Sequence, residues 1–304
     1  MTKSEGDEEM RVLGFGDNIV DRFIDRGVDY PGGNAVNVAV YAHRLGAHAE
    51  YLGVFGSDDL AGFLRGAIEA AGVPTGRSVV REGESGVSSL QVVDGDRVFL
   101  GWNGGGVTVR QPIDLADGRE QYAAGFDVVH SSVYSGTESQ LPSLRTHDVL
   151  VSFDLSSEAE FRAPAYVDRV APFTDLLLIS CSGLDDAEAY AVLDDAIRRG
   201  ARLAVATRGT DDALATDGRV RCSAPAKLLD DRAIVDTMGC GDAFLAGFLV
   251  TLHRGGWRRH LAPSRSDLRA ALEAGAEAAR DQCLVEGAFG GGRPSGEPVA
   301  ANMW

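Results

Sequence analysis

Short apolar runs alternate with amphipathic stretches along most of the chain, and glycine, aspartate or serine marks most of the switches. Val12–Phe15 is a short apolar run that stops at Gly16-Asp17, the pattern of a buried strand. Pro31-Gly32-Gly33-Asn34 then opens a stretch from about Ala35 to Leu45, where Val36, Val38, Ala39, Val40 and Leu45 suit a buried helix. A strand over Glu50–Phe55, a turn at Gly56-Ser57-Asp58-Asp59 and a helix over Leu60–Ala71 follow. Residues 87–100 read differently: Val87–Val93 and Arg97–Leu100 flank Asp94-Gly95-Asp96, which predicts a β-hairpin with Asp-Gly in its turn. Beyond residue 126 the alternation resumes, with strands at Val128–His130, Leu150–Phe153, Leu176–Ile179 and Leu203–Ala206. Helices are predicted near Ala187–Arg199, Ala243–Leu252 and Asp267–Gln282. This order predicts an α/β fold, a parallel sheet with helices on both faces. One domain over 11–290 is expected, between a polar tail at 1–10 and a mobile tail at 291–304. Gly255–Ser266 is expected to be a polar, arginine-bearing loop.

Chemistry enters at Asp236-Thr237-Met238-Gly239-Cys240-Gly241-Asp242, directly before the apolar run from Ala243. A helix N-terminus offers unpaired N–H groups and a partial positive charge, and flanking glycines let a phosphate approach them. The amides of Gly239, Cys240 and Gly241 would form an anion hole, and Asp242 could take a proton from an attacking hydroxyl beside it. A bare GxGD is also compatible with a tight turn capped by an acid. Two further segments suit polyol recognition. Asp17 and Asp21 follow the first strand, where ligands collect in doubly wound sheets. Gly32 and Gly33 allow close backbone approach, and Asn34 and Asn37 supply both donors and acceptors.

The longer string D-T-x-G-x-G-D-A-F-x-A-G-F over Asp236–Phe248 resembles the signature of the ribokinase-like, phosphofructokinase-B type sugar kinases. Gly32-Gly33-Asn34-Ala35-Val36-Asn37 is similar to the N-terminal sugar-binding signature of that family, and Gly53–Gly62 also matches it. The resemblance spans about residues 11–289. It implies a ribokinase-like three-layer αβα sandwich with a mostly parallel central sheet and a small β lid, built from about 21–31 and 87–100. It also implies ATP-dependent phosphorylation of a sugar hydroxyl. Thr207 and Gly209 match the T-x-G loop that touches nucleotide phosphates, although Asp212 replaces a usual glycine. Ala274, Gly275 and Ala278 supply small residues against which an adenine would lie. The N-x-x-E that organises Mg²⁺ in the family lacks its Asn here; Asp185 and Glu188 are the candidates in its place. Mg²⁺ is expected with ATP, and a monovalent cation can assist.

Gly16-Asp17-Asn18, Gly32–Tyr41, Asp94–Phe99 and Asp236-Thr237-Met238-Gly239 look like bacterial fructoselysine 6-kinases, which phosphorylate fructosamines on the 6-hydroxyl. The implied acceptor is a sugar-amine, with Arg97 joining Asp17, Asp21, Gly32, Gly33, Asn34 and Asn37 around it. The short segment between Asp21 and Pro31 implies a reduced lid and room for an aminoacyl arm. The hairpin either covers the pocket or pairs with its copy in a homodimer. Fructokinase or another simple sugar or nucleoside kinase, and a non-catalytic sugar-binding regulator, are the alternatives.

Composition narrows the partners. The 304 residues carry a net charge of −16, which disfavours nucleic acid and anionic membranes. Lysine occurs only at Lys3 and Lys227. Cys181, Cys222, Cys240 and Cys283 are scattered without a CxxC pair, so neither zinc nor a disulfide framework is indicated. No run approaches the ~18 apolar residues of a membrane span. The N-terminus has no signal-peptide core, so a cytoplasmic protein is expected.

Overall fold

A computed structural model describes residues 9–93 and 96–296, except for the side chains of 92, 93, 96 and 97. Asp94, Gly95 and the Arg97 side chain therefore lie outside the described part. Strand β1 (Arg11–Gly16) leads through β2 (Ile19–Phe23) and β3 (Val28–Gly32) into helix α1 (Asn34–Arg44). Then come β4 (His48–Phe55), α2 (Asp59–Ala70), β5 (Val79–Val80) and the antiparallel pair β6 (Val87–Val93) and β7 (Asp96–Trp102). Short helices α3 (Gly106–Arg110) and α4 (Arg119–Ala123) precede β8 (Val128–Ser132), α5 (Leu141–Leu144), β9 (Leu150–Asp154) and α6 (Pro164–Val170). The chain continues through β10 (Leu176–Ser180), α7 (Asp186–Arg198), β11 (Leu203–Thr207), β12 (Ala213–Thr216) and β13 (Arg221–Ala224). It ends with α8 (Cys240–Arg254), α9 (Arg265–Gln282) and β14 (Arg293–Pro294).

The central sheet has nine strands in the order β13-β12-β11-β10-β9-β8-β1-β4-β5 among the described residues. Its pairings from β11 through β5 are parallel, and the β11–β12 and β12–β13 pairs are antiparallel. Helices on both faces require each strand to be apolar on both sides. The sequence meets that need by alternation: Leu176, Leu178, Leu203 and Val205 join the core shared with α1, α8 and α9. Leu177, Ile179, Ala204 and Ala206 join the core on the opposite face, shared with α5, α6 and α7. The three-layer sandwich inferred from the sequence is thus present.

The lid is larger than the sequence suggested. Strands β2 and β3, read there as a short connection, pair with each other and with β6, giving a second sheet ordered β14-β3-β2-β6-β7. A buried bidentate pair between Arg22 and Asp29, at 2.6 and 2.8 Å, ties β2 to β3. Part of the expected C-terminal tail is ordered, because Arg293 and Pro294 pair with Asp29 and Val28. At the other end Met10 is buried in the core rather than in a tail. No helix among the described residues is long and apolar enough to cross a membrane.

Candidate active site

The sheet order reverses at β1: the chain runs outward to β4 and β5, then returns to β8 and runs outward the other way. In such sheets a crevice opens beyond the carboxyl ends of the strands at the reversal. Asp17 follows β1, Ser132 ends β8 and Asp154 ends β9. Helices α1 and α8 aim their N-termini at the same place. Gly33 caps α1 with φ 117°, and an added Cβ there would sit 2.7 Å from Asn18 Cα and 2.8 Å from the Asp17 carbonyl. Gly239 caps α8 with φ 75°. The turn before it is held by Asp236, whose two carboxylate oxygens accept from the Met238 and Gly287 amides at 3.0 Å each.

One side chain joins the centre together. Asn34 Nδ2 donates to Asp242 Oδ1 at 2.6 Å and to Asp154 Oδ2 at 2.7 Å. Asn37 Nδ2 donates to the other Asp242 oxygen at 2.7 Å, while its own Oδ1 is buried without a donor. Asp17 accepts from the backbone amide of Asn34 at 2.5 Å and from the hydroxyls of Ser135 and Ser132 at 2.6 and 3.1 Å. It thereby fixes the start of α1 from a buried position just past the end of β1. Asp21 is buried on β2 against Gly32, where a Cβ would strike its carboxylate. Asn34, Asn37, Asp17, Asp21, Gly32, Gly33 and Asp242, singled out from three separate parts of the sequence, thus come together.

Burial raises the Asp242 carboxyl well above its usual range, and the negative charges of Asp154, Asp17 and Asp21 add to the effect; the Asn37 hydrogen bond works against it. Asp154 is pushed up to about 6, chiefly by burial. A carboxylate poised above its ordinary pKa at the first turn of a helix can accept a proton beside a site for an anion. His130, which the sequence reading passed over, contacts Asn34 at 2.7 Å. Nothing in the run Val128-Val129-His130-Ser131-Ser132 distinguishes it from a core histidine.

A cleft of about 690 Å³ runs from Asn34, Asp154 and Asp242 along Thr207, Gly209 and Lys227 to an apolar end at Leu228, Ile234, Ala276 and Ala279. Lys227 is a second residue the sequence reading did not assign, although its rarity was a signal. Gly241 lines the cleft, and a Cβ there would meet nothing within 4 Å. The Cys240 amide is instead turned toward the Thr237 carbonyl at 3.4 Å, closing the turn.

Two expectations need correction. Ala274, Gly275 and Ala278 do not line this cleft; they pack α9 onto α8. A Cβ on Gly275 would lie 2.8 Å from the Phe244 carbonyl, and Ala274 and Ala278 meet Gly247. The face of α9 turned to the cleft carries Ala276, Ala279, Arg280 and Cys283. Asp185 and Glu188 form a capping box at the start of α7 instead of a metal site. Each carboxylate accepts the other residue's amide, at 2.9 and 3.0 Å. No cluster of three or more metal-ligating side chains occurs among the described residues. Glu188→Gln is therefore expected to leave the response of activity to added Mg²⁺ the same as in the parent protein, whatever that response is, while Asp185→Ala costs about 1 kcal/mol of stability through the lost cap. A titration of activity against Mg²⁺ checks the first outcome and thermal melting the second.

The sequence pattern of pfkB family carbohydrate kinases matches residues 21–290. The chain is 35% identical over 286 residues to a fructosamine kinase of Bacillus subtilis (strain 168), covering 94% of this chain and 95% of that protein. It is 31% identical over 237 residues to fructoselysine 6-kinase of Escherichia coli (strain K12), covering 77% and 86% respectively. A fructokinase double mutant from Vibrio cholerae O395, solved with fructose, ADP and a potassium ion, has a TM-score of 0.73 at 20% identity, over 94% of this chain and 96% of that one. At that identity the likeness speaks for the fold.

Proposed function

We propose that this chain, which belongs to the pfkB family of carbohydrate kinases and is an ATP-dependent sugar kinase, phosphorylates the 6-hydroxyl of a fructosamine such as fructoselysine. The observation that carries the acceptor is the 35% identity to a fructosamine kinase over 94% of the chain. In this reading the strands β3, β2, β6 and β7 of the second sheet serve as the lid, and β3 leads through Gly33 directly into α1.

In this reading Asp242 accepts the proton of the primary hydroxyl as that oxygen attacks the γ-phosphoryl group. Asn34 and Asn37 hold Asp242 by both of its oxygens and so fix its direction. The buried Asn37 Oδ1, which has no donor, is suited to accept from a sugar hydroxyl. Asp17 and Asp21 accept from others, with Gly32 and Gly33 letting the ring approach; Arg97 stays a proposed acceptor contact on the resemblance alone. The amides at Gly239 and Gly241 bind the developing charge on the transferred group, while that of Cys240 closes the turn onto the Thr237 carbonyl. Thr207, Gly209 and Lys227 flank the phosphates, and the base lies toward Leu228, Ile234, Ala276 and Ala279. The chain offers no cage for Mg²⁺ among the described residues, so the ion would keep phosphate and water ligands and no step here runs through it. One kinase domain over 11–290, a cytoplasmic location and pairing of two copies through lid strands complete the proposal. The exposed Val98, Phe99 and Trp102 on β7 support the pairing.

The test is ATP consumption with Mg²⁺ and K⁺ against fructoselysine, other fructosamines, fructose, ribose and adenosine. Turnover dominated by fructosamines is the expected result. Turnover with fructose or a nucleoside alone keeps the kinase and overturns the acceptor. Binding without turnover on any acceptor favours a regulator.

A further inference from the structure

His130 lies in β8, fully buried, and its ring links two elements. Nδ1 is 3.1 Å from Ser152 Oγ on β9, and Nε2 is 2.7 Å from Asn34 Oδ1 on α1. A buried imidazole in a sheet is commonly a satisfied core group; what lies beyond Asn34 separates this one. Both protons of the Asn34 amide nitrogen are engaged, one by Asp154 and one by Asp242. Its oxygen must then face His130, and an acceptor oxygen at 2.7 Å requires an N–H on Nε2. Nδ1 is left without a proton and accepts the Ser152 hydroxyl. Burial holds the ring's pKa down to about 3, so the ring stays neutral near pH 7 and keeps one donor and one acceptor.

We propose that His130 is a positioning residue for phosphoryl transfer: by donating from Nε2 to Asn34 Oδ1 it fixes the orientation of that amide, and so keeps both amide protons on Asp154 and Asp242. The inference rests on reading Asp242 as the base. Without the donor at 130 the amide oxygen is left buried with no partner, and the side chain shifts to relieve it. That movement lengthens the Asn34 contact with Asp242, which then relies on the proton of Asn37. Asp242 already faces Asp154 from β9, Asp17 from the end of β1 and Asp21 from β2, with the neutral Tyr41 of α1 and Cys240 of its own helix beside it. Losing a donor there favours its protonated form and moves the acidic limb of kcat to higher pH.

His130→Phe keeps a ring and removes the donor. The expected result is a fall in kcat of about 10-fold at pH 7, the scale of one hydrogen bond to a charged group, with KM for ATP unchanged and the acidic limb displaced upward. His130→Gln, whose amide can donate to the same oxygen, should recover most of the loss. In an Asn34→Ala background His130→Phe should cost almost nothing further; a multiplicative loss overturns the inference. Should His130→Phe fail to fold, Ser152→Ala releases Nδ1 and must lower kcat in the same direction. A readout apart from activity is the two-bond ¹H–¹⁵N correlation of the His130 ring, assigned by difference. An Nε2–H pattern that does not titrate between pH 5.5 and 8.5 is expected, and an Nδ1–H pattern or a titration there overturns the inference. Normal turnover of Asp242→Asn would instead fault the base reading, so the two failures are distinguishable.

Discussion

Asp242→Asn is expected to fold, to lose at least ~10²-fold in kcat, and to melt at a higher temperature than the parent protein at pH 8. The fold survives because the site can absorb the change. Asn37 carries a buried oxygen with no donor, so a turn of its amide lets it accept from the new amide at 242 while Asn34 still donates to the remaining oxygen. The stability change follows from the direction of the pKa shift. Asp242 is raised in the folded protein, so its favourable contribution is complete below the unfolded pKa and is lost as pH rises through the folded one. At pH 8 the ionised group is held at a cost that a neutral amide escapes, and in acid the advantage fades. Asp154→Asn should behave alike. Its shift from 3.8 to about 6 corresponds to at most about 3 kcal/mol at neutral pH, or roughly 5 °C in a chain of this size. Calorimetry at pH 4 and pH 8 beside steady-state kinetics checks both halves. Near-normal turnover would sink the role of Asp242, and equal melting at pH 8 would sink the electrostatic account.

The second large effect separates two glycines of one turn. Gly239 has φ 75°, and an added Cβ would stand 2.6 Å from Tyr41 Oη and 3.2 Å from Ala288. Tyr41 cannot yield freely, because its hydroxyl donates to the Ala288 carbonyl. Gly239→Ala should therefore lose about 1–2 kcal/mol from backbone conformation alone, and should lower kcat by ~10²-fold or more as the first turn of α8 shifts. Gly241→Ala should leave the melting temperature almost unchanged, since its Cβ meets nothing within 4 Å in the free protein. That space lies in the cleft, where the proposal puts the transferred phosphoryl group, so kcat/KM for ATP should still fall about 10-fold or more. If Gly241→Ala is as active as the parent, the phosphate does not approach α8 there.

The sequence made the frame of this molecule legible because each central strand repeats the same solution, alternate apolar residues feeding two cores. It was less informative where stability comes from distant partners. Strands β2 and β3 carry Asp21, Arg22 and Asp29 in buried positions, which reads as a polar connection until β6 supplies the neighbouring strand. On α9 the phase of the helix could not be read, since Ala274, Ala276, Ala278 and Ala279 are one residue type on two faces. Asn34, Asn37 and Asp242 were found because glycines mark their helix starts. His130 and Lys227 carry no such mark, and only the folded chain puts them beside the others. Asp185 and Glu188 had the right chemistry for a metal, but their spacing of three residues suits a helix cap better.

Strand β3 ends at Gly32 and helix α1 begins at Asn34, so a single residue separates the lid from the side chain that holds Asp242. A joint that short has no slack. A change at the lid end of β3, such as loss of the buried Arg22–Asp29 pair, should therefore be felt at Asn34 across that one residue.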